Sequence, residues 1–190
     1  MRRILHSILT IPLWAHAAAI ALTIVWFQWI KAKLDASYAA SLHPVDYATG
    51  QTTFSGETIK TYYAAMSETG TLDIYVKTQL IDFGFVLAFV CIGLFFCTLI
   101  ARLSRPDSYG RTAGILAGVA IITGAFCDAI ENGWSFIMLA NPTGFADWLA
   151  IPYSLFAVLK FGCITIGMAL VIISLVLACI GRLSSAPRLG

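Results

Sequence analysis

Four long apolar runs, at about 8–30, 74–103, 113–140 and 153–180, set the rhythm of the chain. Each reaches or exceeds the roughly 18–20 apolar residues that a helix needs to cross the hydrocarbon core of a bilayer. Backbone in lipid must satisfy its own N–H and C=O groups, so each run predicts a membrane-spanning α-helix. The expected fold class is all-α: an integral membrane four-helix up-down bundle, one transmembrane domain over residues 1–190. Met1-Arg2-Arg3 followed by Ala15-His16-Ala17 imitates a cleavable signal peptide. The apolar run continues through AAIALTIVWFQWI, however, and His6, Ser7 and Pro12 interrupt it, so an uncleaved signal anchor is the preferred reading. Trp26 and Trp29 mark its outer end, as interfacial aromatics do.

The polar connections differ in length. Only 31–73 is long enough to hold structure of its own, and it is expected as an extracytoplasmic loop with turns at His43-Pro44 and near Gly50. Within it Ser55 opens a short helical pattern: Ile59, Tyr62, Tyr63 and Met66 recur at i, i+3, i+4 and i+7, and Gly70 stops it. This short helix is expected on the membrane surface or on the bundle, as an interfacial anchor or as a lid over polar groups. RLSRPDSYGR reads as a tight turn, with Pro106 breaking the helix before it. Asn141-Pro142 ends the third run, Trp148 fits the outer interface, and Pro152 is placed as a first-turn proline of the last helix.

Charge orients the runs. All seven arginines, Arg2, Arg3, Arg102, Arg105, Arg111, Arg182 and Arg188, fall on one side, where Asp107 is the sole acid, a net +6. The other side sets Lys31, Lys33, Lys60 and Lys77 against six acids, a net −2. The positive-inside rule then predicts an N-in/C-in protein of the plasma (inner) membrane, and a bacterial source is the expectation. Short basic loops of this kind require lipid headgroups as partners and no nucleic acid. Hydrophobic residues make up 59% and charged residues only 12%, half the charge of a soluble domain, at about a quarter. The cysteines Cys91, Cys97, Cys127, Cys163 and Cys179 all lie in the runs without a CxxC pair, which reads as packing rather than disulfide chemistry.

Against that apolar background the ionisable residues inside the runs are the candidate site: Asp82, Asp128, Glu131 and Lys160. Asp82 and Lys160 each lie seven residues from the outer ends of their helices, Glu131 eight or nine from its own, and Asp128 one turn deeper. In an up-down bundle these depths coincide in one layer of the outer half of the membrane. Asn132 and Gln79 are expected to support the network by hydrogen bonding, and Tyr153 shares a helix face with Lys160. Gly110, Gly114 and Gly118, spaced by four, continue through Ile121 and Ala125 to Asp128 and Asn132 on one stripe. Such glycines mark a close helix contact, within the bundle or between protomers. Three carboxylates and one ammonium sum to −2, so proton uptake or a bound cation is expected.

Three functions compete for this cluster. One is acid–base catalysis on a small lipidic or isoprenoid-like ligand, with one carboxyl as acid, another as base and Lys160 tuning both. A second is a structural polar network in a homo-oligomer or complex subunit. The third is proton or cation translocation, against which stands the scarcity of polar groups in the inner halves, His16 apart. No metal site and no cofactor is expected: His6 and His16 share one helix, and His43 with Asp46 makes only a two-ligand pair. There is no phosphate-binding glycine loop, GxSxG or HExxH.

An Asp early in the second run (KTQLIDFGF), a DxxEN in the third (DAIEN) and a Lys in the fourth resemble a pattern in small uncharacterised bacterial four-helix membrane proteins. The resemblance spans roughly residues 60–165 and rests on these short motifs. It implies that Asp82, Asp128, Glu131, Asn132 and Lys160 belong together, and it implies no activity.

Overall fold

A computed structural model describes residues 7–183. Arg2, Arg3, His6 and Arg188, which entered the reading of topology and ligands, lie outside the described residues. The described chain is predominantly helical, with no strand among its described residues. Four stretches are long and apolar enough to cross a membrane: Leu13–Ala40, Leu72–Leu103, Tyr109–Leu139 and Asp147–Arg182.

Helix α1 is Leu13–Ala40, α2 Tyr47–Gln51, α3 Gly56–Glu68, α4 Leu72–Cys91, α5 Cys97–Leu103, α6 Tyr109–Leu139 and α7 Ala150–Leu183. A π-helical turn, Ile92–Phe96, joins α4 to α5, so the second apolar run is one helix with a bulge. The first helix corrects an expected boundary. It does not stop near Ile30 but runs to Ala40, because KAKLDASYAA is rich in good helix formers and Lys31 pairs with Asp35 one turn on. The connection is also more ordered than its composition suggests. Asp46 caps α2 by accepting from the Thr49 amide at 3.0 Å, and Ser55 caps α3 by accepting from Thr58 at 3.2 Å. Gly70 at φ 71° then ends α3.

The chain divides into two compact units, each taking a segment from every long helix. The first comprises the described residues up to Val25, Phe89–Thr123 and those from Cys163 on. Its helices meet through small residues. A Cβ at Gly118 would lie 2.6 Å from the Gly93 carbonyl oxygen, and one at Gly114 would lie 2.8 Å from the Ala101 backbone. Gly110 likewise abuts Ser104 and Leu177, so all three stripe glycines pack within the chain. His16, fully buried, places Nε2 2.8 Å from the Phe95 carbonyl, and Arg102 reaches its Nδ1 at 2.9 Å. That carbonyl belongs to the π turn, where the widened helix leaves acceptors for an outside donor.

The second unit comprises Trp26–Ala88 and Gly124–Gly162. Its apolar core joins Ile59, Tyr63 and Met66 of α3 to Tyr75, Met138, Phe145, Leu149 and Tyr153. Helix α3 is thus docked on the membrane-type helices along its expected apolar face. Lys60, on the opposite face, pairs with Asp147 at 2.7 Å.

Candidate functional site

The site lies wholly within the second unit. Helix α6 carries Asp128, Glu131, Asn132 and Ser135 on its buried face, at the i, i+3, i+4, i+7 spacing of one helical stripe. Helix α7 supplies Lys160, helix α4 supplies Asp82 and Gln79, and the short α2 supplies Gln51. Glu131 and Asn132 are fully buried, and Asp128 and Lys160 are each 5% exposed.

Lys160 is the hub. Its ammonium donates to Asp128 Oδ1 at 2.9 Å, to Glu131 Oε2 at 2.5 Å and to Gln51 Oε1 at 3.0 Å. An ammonium has three hydrogens, so these partners occupy every one. Asp82, half-buried, accepts from Asn132 Nδ2 at 2.6 Å. On the far side of the network Glu131 Oε1 and Asn132 Oδ1 are buried without a hydrogen-bond partner among the described residues.

Two further expected residues, Gln79 and Tyr153, are buried in the same unit, and no hydrogen bond ties Gln79 to the cluster among the described contacts. Gln79 is buried at 5% exposure on α4. Tyr153, 2% exposed, belongs to the buried core together with Tyr63 and Tyr75. Tyr63 of α3 lies beside Ser135, and burial pushes its phenol well above the ordinary tyrosine range, which keeps it a neutral donor. Gly110, Gly114 and Gly118 belong to the other unit and pack helices rather than line this site.

Sequence reasoning missed Gln51. Nothing in a loop glutamine announces a buried role, and only the folding of 42–54 delivers it. Leu42 and Phe54 both adopt φ 54°, the left-handed region that costs a non-glycine residue about 1–2 kcal/mol. Between them Tyr38 donates to the Val45 carbonyl at 2.7 Å and Tyr47 to the Leu34 carbonyl at 3.1 Å. His43 stacks against Tyr38 with ring centroids 5.2 Å apart, and Gly50 gives it room. The Phe54 amide then donates to Ser154 Oγ on α7 at 3.1 Å.

His43 and Asp46, the two-ligand pair considered from the sequence, both have other partners. His43 Nδ1 is 2.9 Å from the Val45 carbonyl, and Asp46 is spent capping α2. Among the described residues, no group of three or more His, Cys, Asp or Glu side chains is arranged to hold a metal ion.

Four long apolar helices define a class: the chain is compatible with a multi-pass membrane protein. Comparison with family models, curated proteins and solved structures finds no match that would narrow it further.

Proposed function

We propose that the acid–amine cluster is a buried clamp that fastens the 42–54 segment to the membrane helices of a small integral membrane protein. The observation that carries this reading is the full occupancy of the Lys160 ammonium, with Gln51 as its third partner. An amine saturated in this way is poorly placed to receive a substrate proton or to pass an ion. Backbone strain at Leu42 and Phe54 supports the same view, since it persists only where surrounding contacts over-determine the segment. The test is hydrogen exchange of residues 42–54 in detergent or nanodiscs. Lys160→Met should release protection there while the α6 backbone stays protected; unchanged protection of 42–54 would sink the clamp.

A second reading, a small or lipidic ligand handled by acid–base chemistry, is favoured by one specific feature. Glu131 Oε1 and Asn132 Oδ1 are buried acceptors without donors among the described residues. A donor-bearing ligand would complete that corner, with Asp82 and Asp128 as the acid–base pair. Native mass spectrometry decides between the two: a species bound to wild type and absent from Glu131→Gln supports the ligand reading. Proton or cation translocation draws on the same carboxyls but lacks a second polar constellation of carboxylates in the first unit.

The arginine distribution supports an N-in/C-in orientation in a plasma membrane of bacterial type. The resemblance to small bacterial four-helix membrane proteins, with helices arranged as an up-down bundle, fits this reading. A reporter fused after Leu183 should face the cytoplasm.

A further inference from the structure

We propose a second site, in the first unit: a cavity that binds the phosphate group of an anionic amphiphile. The cavity, of ≈ 370 Å³, is formed where α5 ends, α6 begins and the last turns of α7 pass. Ser104, Arg105, Ser108, Gly110 and Arg182 bring polar groups to its lining, Leu177 brings apolar surface, and no carboxylate lines it.

Three independent features converge on an anion. First, Arg105 and Arg182 bring two guanidinium groups, the side chains best matched to phosphate oxygens. Arg182 is held at the rim, its Nη2 3.5 Å from the Leu103 carbonyl. Second, α6 is a 31-residue helix whose first turn opens here. Ser108 Oγ accepts from the Arg111 amide at 3.3 Å, so the Tyr109 and Gly110 amides are those the helix cannot satisfy itself. Third, Ser104 is only 8% exposed, yet its hydroxyl has no hydrogen-bond partner among the described residues. A buried, unpartnered O–H beside two arginines and a helix start is a donor waiting for an acceptor. A Cβ at Gly110 would overlap that hydroxyl, so glycine keeps the corner open.

The apolar part of the lining explains why the ligand carries a tail. Leu177 is 36% exposed on a helix of apolar character, and an inorganic ion would gain nothing from it. An acyl chain lying along α7 would cover it while the phosphate meets the arginines. The chemistry is therefore a phosphate ester with an aliphatic chain, which distinguishes a lipid from free phosphate.

The test uses the full chain in nanodiscs of mixed phosphatidylglycerol and phosphatidylcholine, followed by native mass spectrometry of retained lipid. Wild type should retain phosphatidylglycerol over phosphatidylcholine. Losing a charge-assisted contact of about 1.5–3 kcal/mol predicts an about tenfold or greater drop in retention for the Arg105→Gln/Arg182→Gln variant. Ser104→Ala should lower retention about threefold, as one neutral donor of about 0.5–1 kcal/mol would. Leu177→Trp, which leaves every donor in place and fills the apolar part of the lining, should lower it too and keeps the question open should the double variant fail to fold. Arg111→Gln, a nearby arginine outside the lining, should change nothing. Equal loss in Arg111→Gln, equal retention of phosphatidylcholine, or stabilisation by inorganic phosphate as strong as by phosphatidylglycerol would each overturn the proposal.

Discussion

In one unit helices meet backbone to backbone, at Gly118 against Gly93 and Gly114 against Ala101. In the other they meet through charge, with Lys160 drawing Asp128, Glu131 and Gln51 onto one nitrogen. The first arrangement relies on van der Waals contact and tolerates almost no added volume. The second relies on polar groups that are costly when left unmatched and tolerates almost no loss of a partner. The lesson is that one helix, α6, serves both schemes along its length. Near its start α6 offers glycines, and further along the same stripe it offers acids.

The comparison can be broken most forcefully at the hub. Lys160→Met leaves buried carboxylates without their cation and should cost about 3–5 kcal/mol, read as a lowered midpoint of thermal or denaturant unfolding in detergent. Adding Asp128→Asn and Glu131→Gln should recover part of that loss, because the uncompensated charge disappears; no recovery would mean the lysine acts through packing alone. A smaller effect is expected in the glycine-packed unit. Gly118→Ala puts a methyl group on the Gly93 carbonyl and should cost about 1–3 kcal/mol by the same assay. Indifference to that change would show that the close approach carries little stability.

Gln51→Leu should cost about 1.5–3 kcal/mol, the range for a hydrogen bond to a charged group. Its distinguishing mark is local: exchange protection should fall over 42–54 and stay unchanged in α6. The mildest perturbation is acid. Burial holds the His43 pKa below its ordinary value, opposed by its hydrogen bond with the Val45 carbonyl and by nearby Asp46. The folded form therefore favours neutral imidazole. Its contribution is fully present above the unfolded histidine value and is lost as pH falls through the lower, folded value. Opening of 42–54 should thus rise as pH falls below the unfolded histidine value, and His43→Phe should flatten that dependence.

Much of this was legible along the chain because bilayer physics leaves few choices. Apolar runs of about 20 or more residues can only be helices there, and the spans beginning at Leu72, Tyr109 and Asp147 follow the runs closely. The α6 stripe was readable too, since helical periodicity alone puts Gly118, Ile121, Ala125, Asp128 and Asn132 on one face, and all are buried. The extension of α1 to Ala40 was harder to see. Its residues are polar enough to read as loop, and helix propensity with the Lys31–Asp35 pair outweighs that pattern. The π turn at Ile92–Phe96 left no trace at all, because it answers to His16 and to the Gly93–Gly118 approach rather than to local sequence.

By itself, the order of residues determined the long helices, the short α3 and the presence of acids and an amine where oil should be. Those follow from hydropathy and period, which are local or one-dimensional properties. Which acid faces which partner was decided only in three dimensions. Lys160 could have met any carboxylate at its depth; its rotamer, the bend of 42–54 and the seating of α2 brought Asp128, Glu131 and Gln51 to it. Hydrogen bonds are short and directional, so their pairing is a property of packed geometry and not of spacing along a chain.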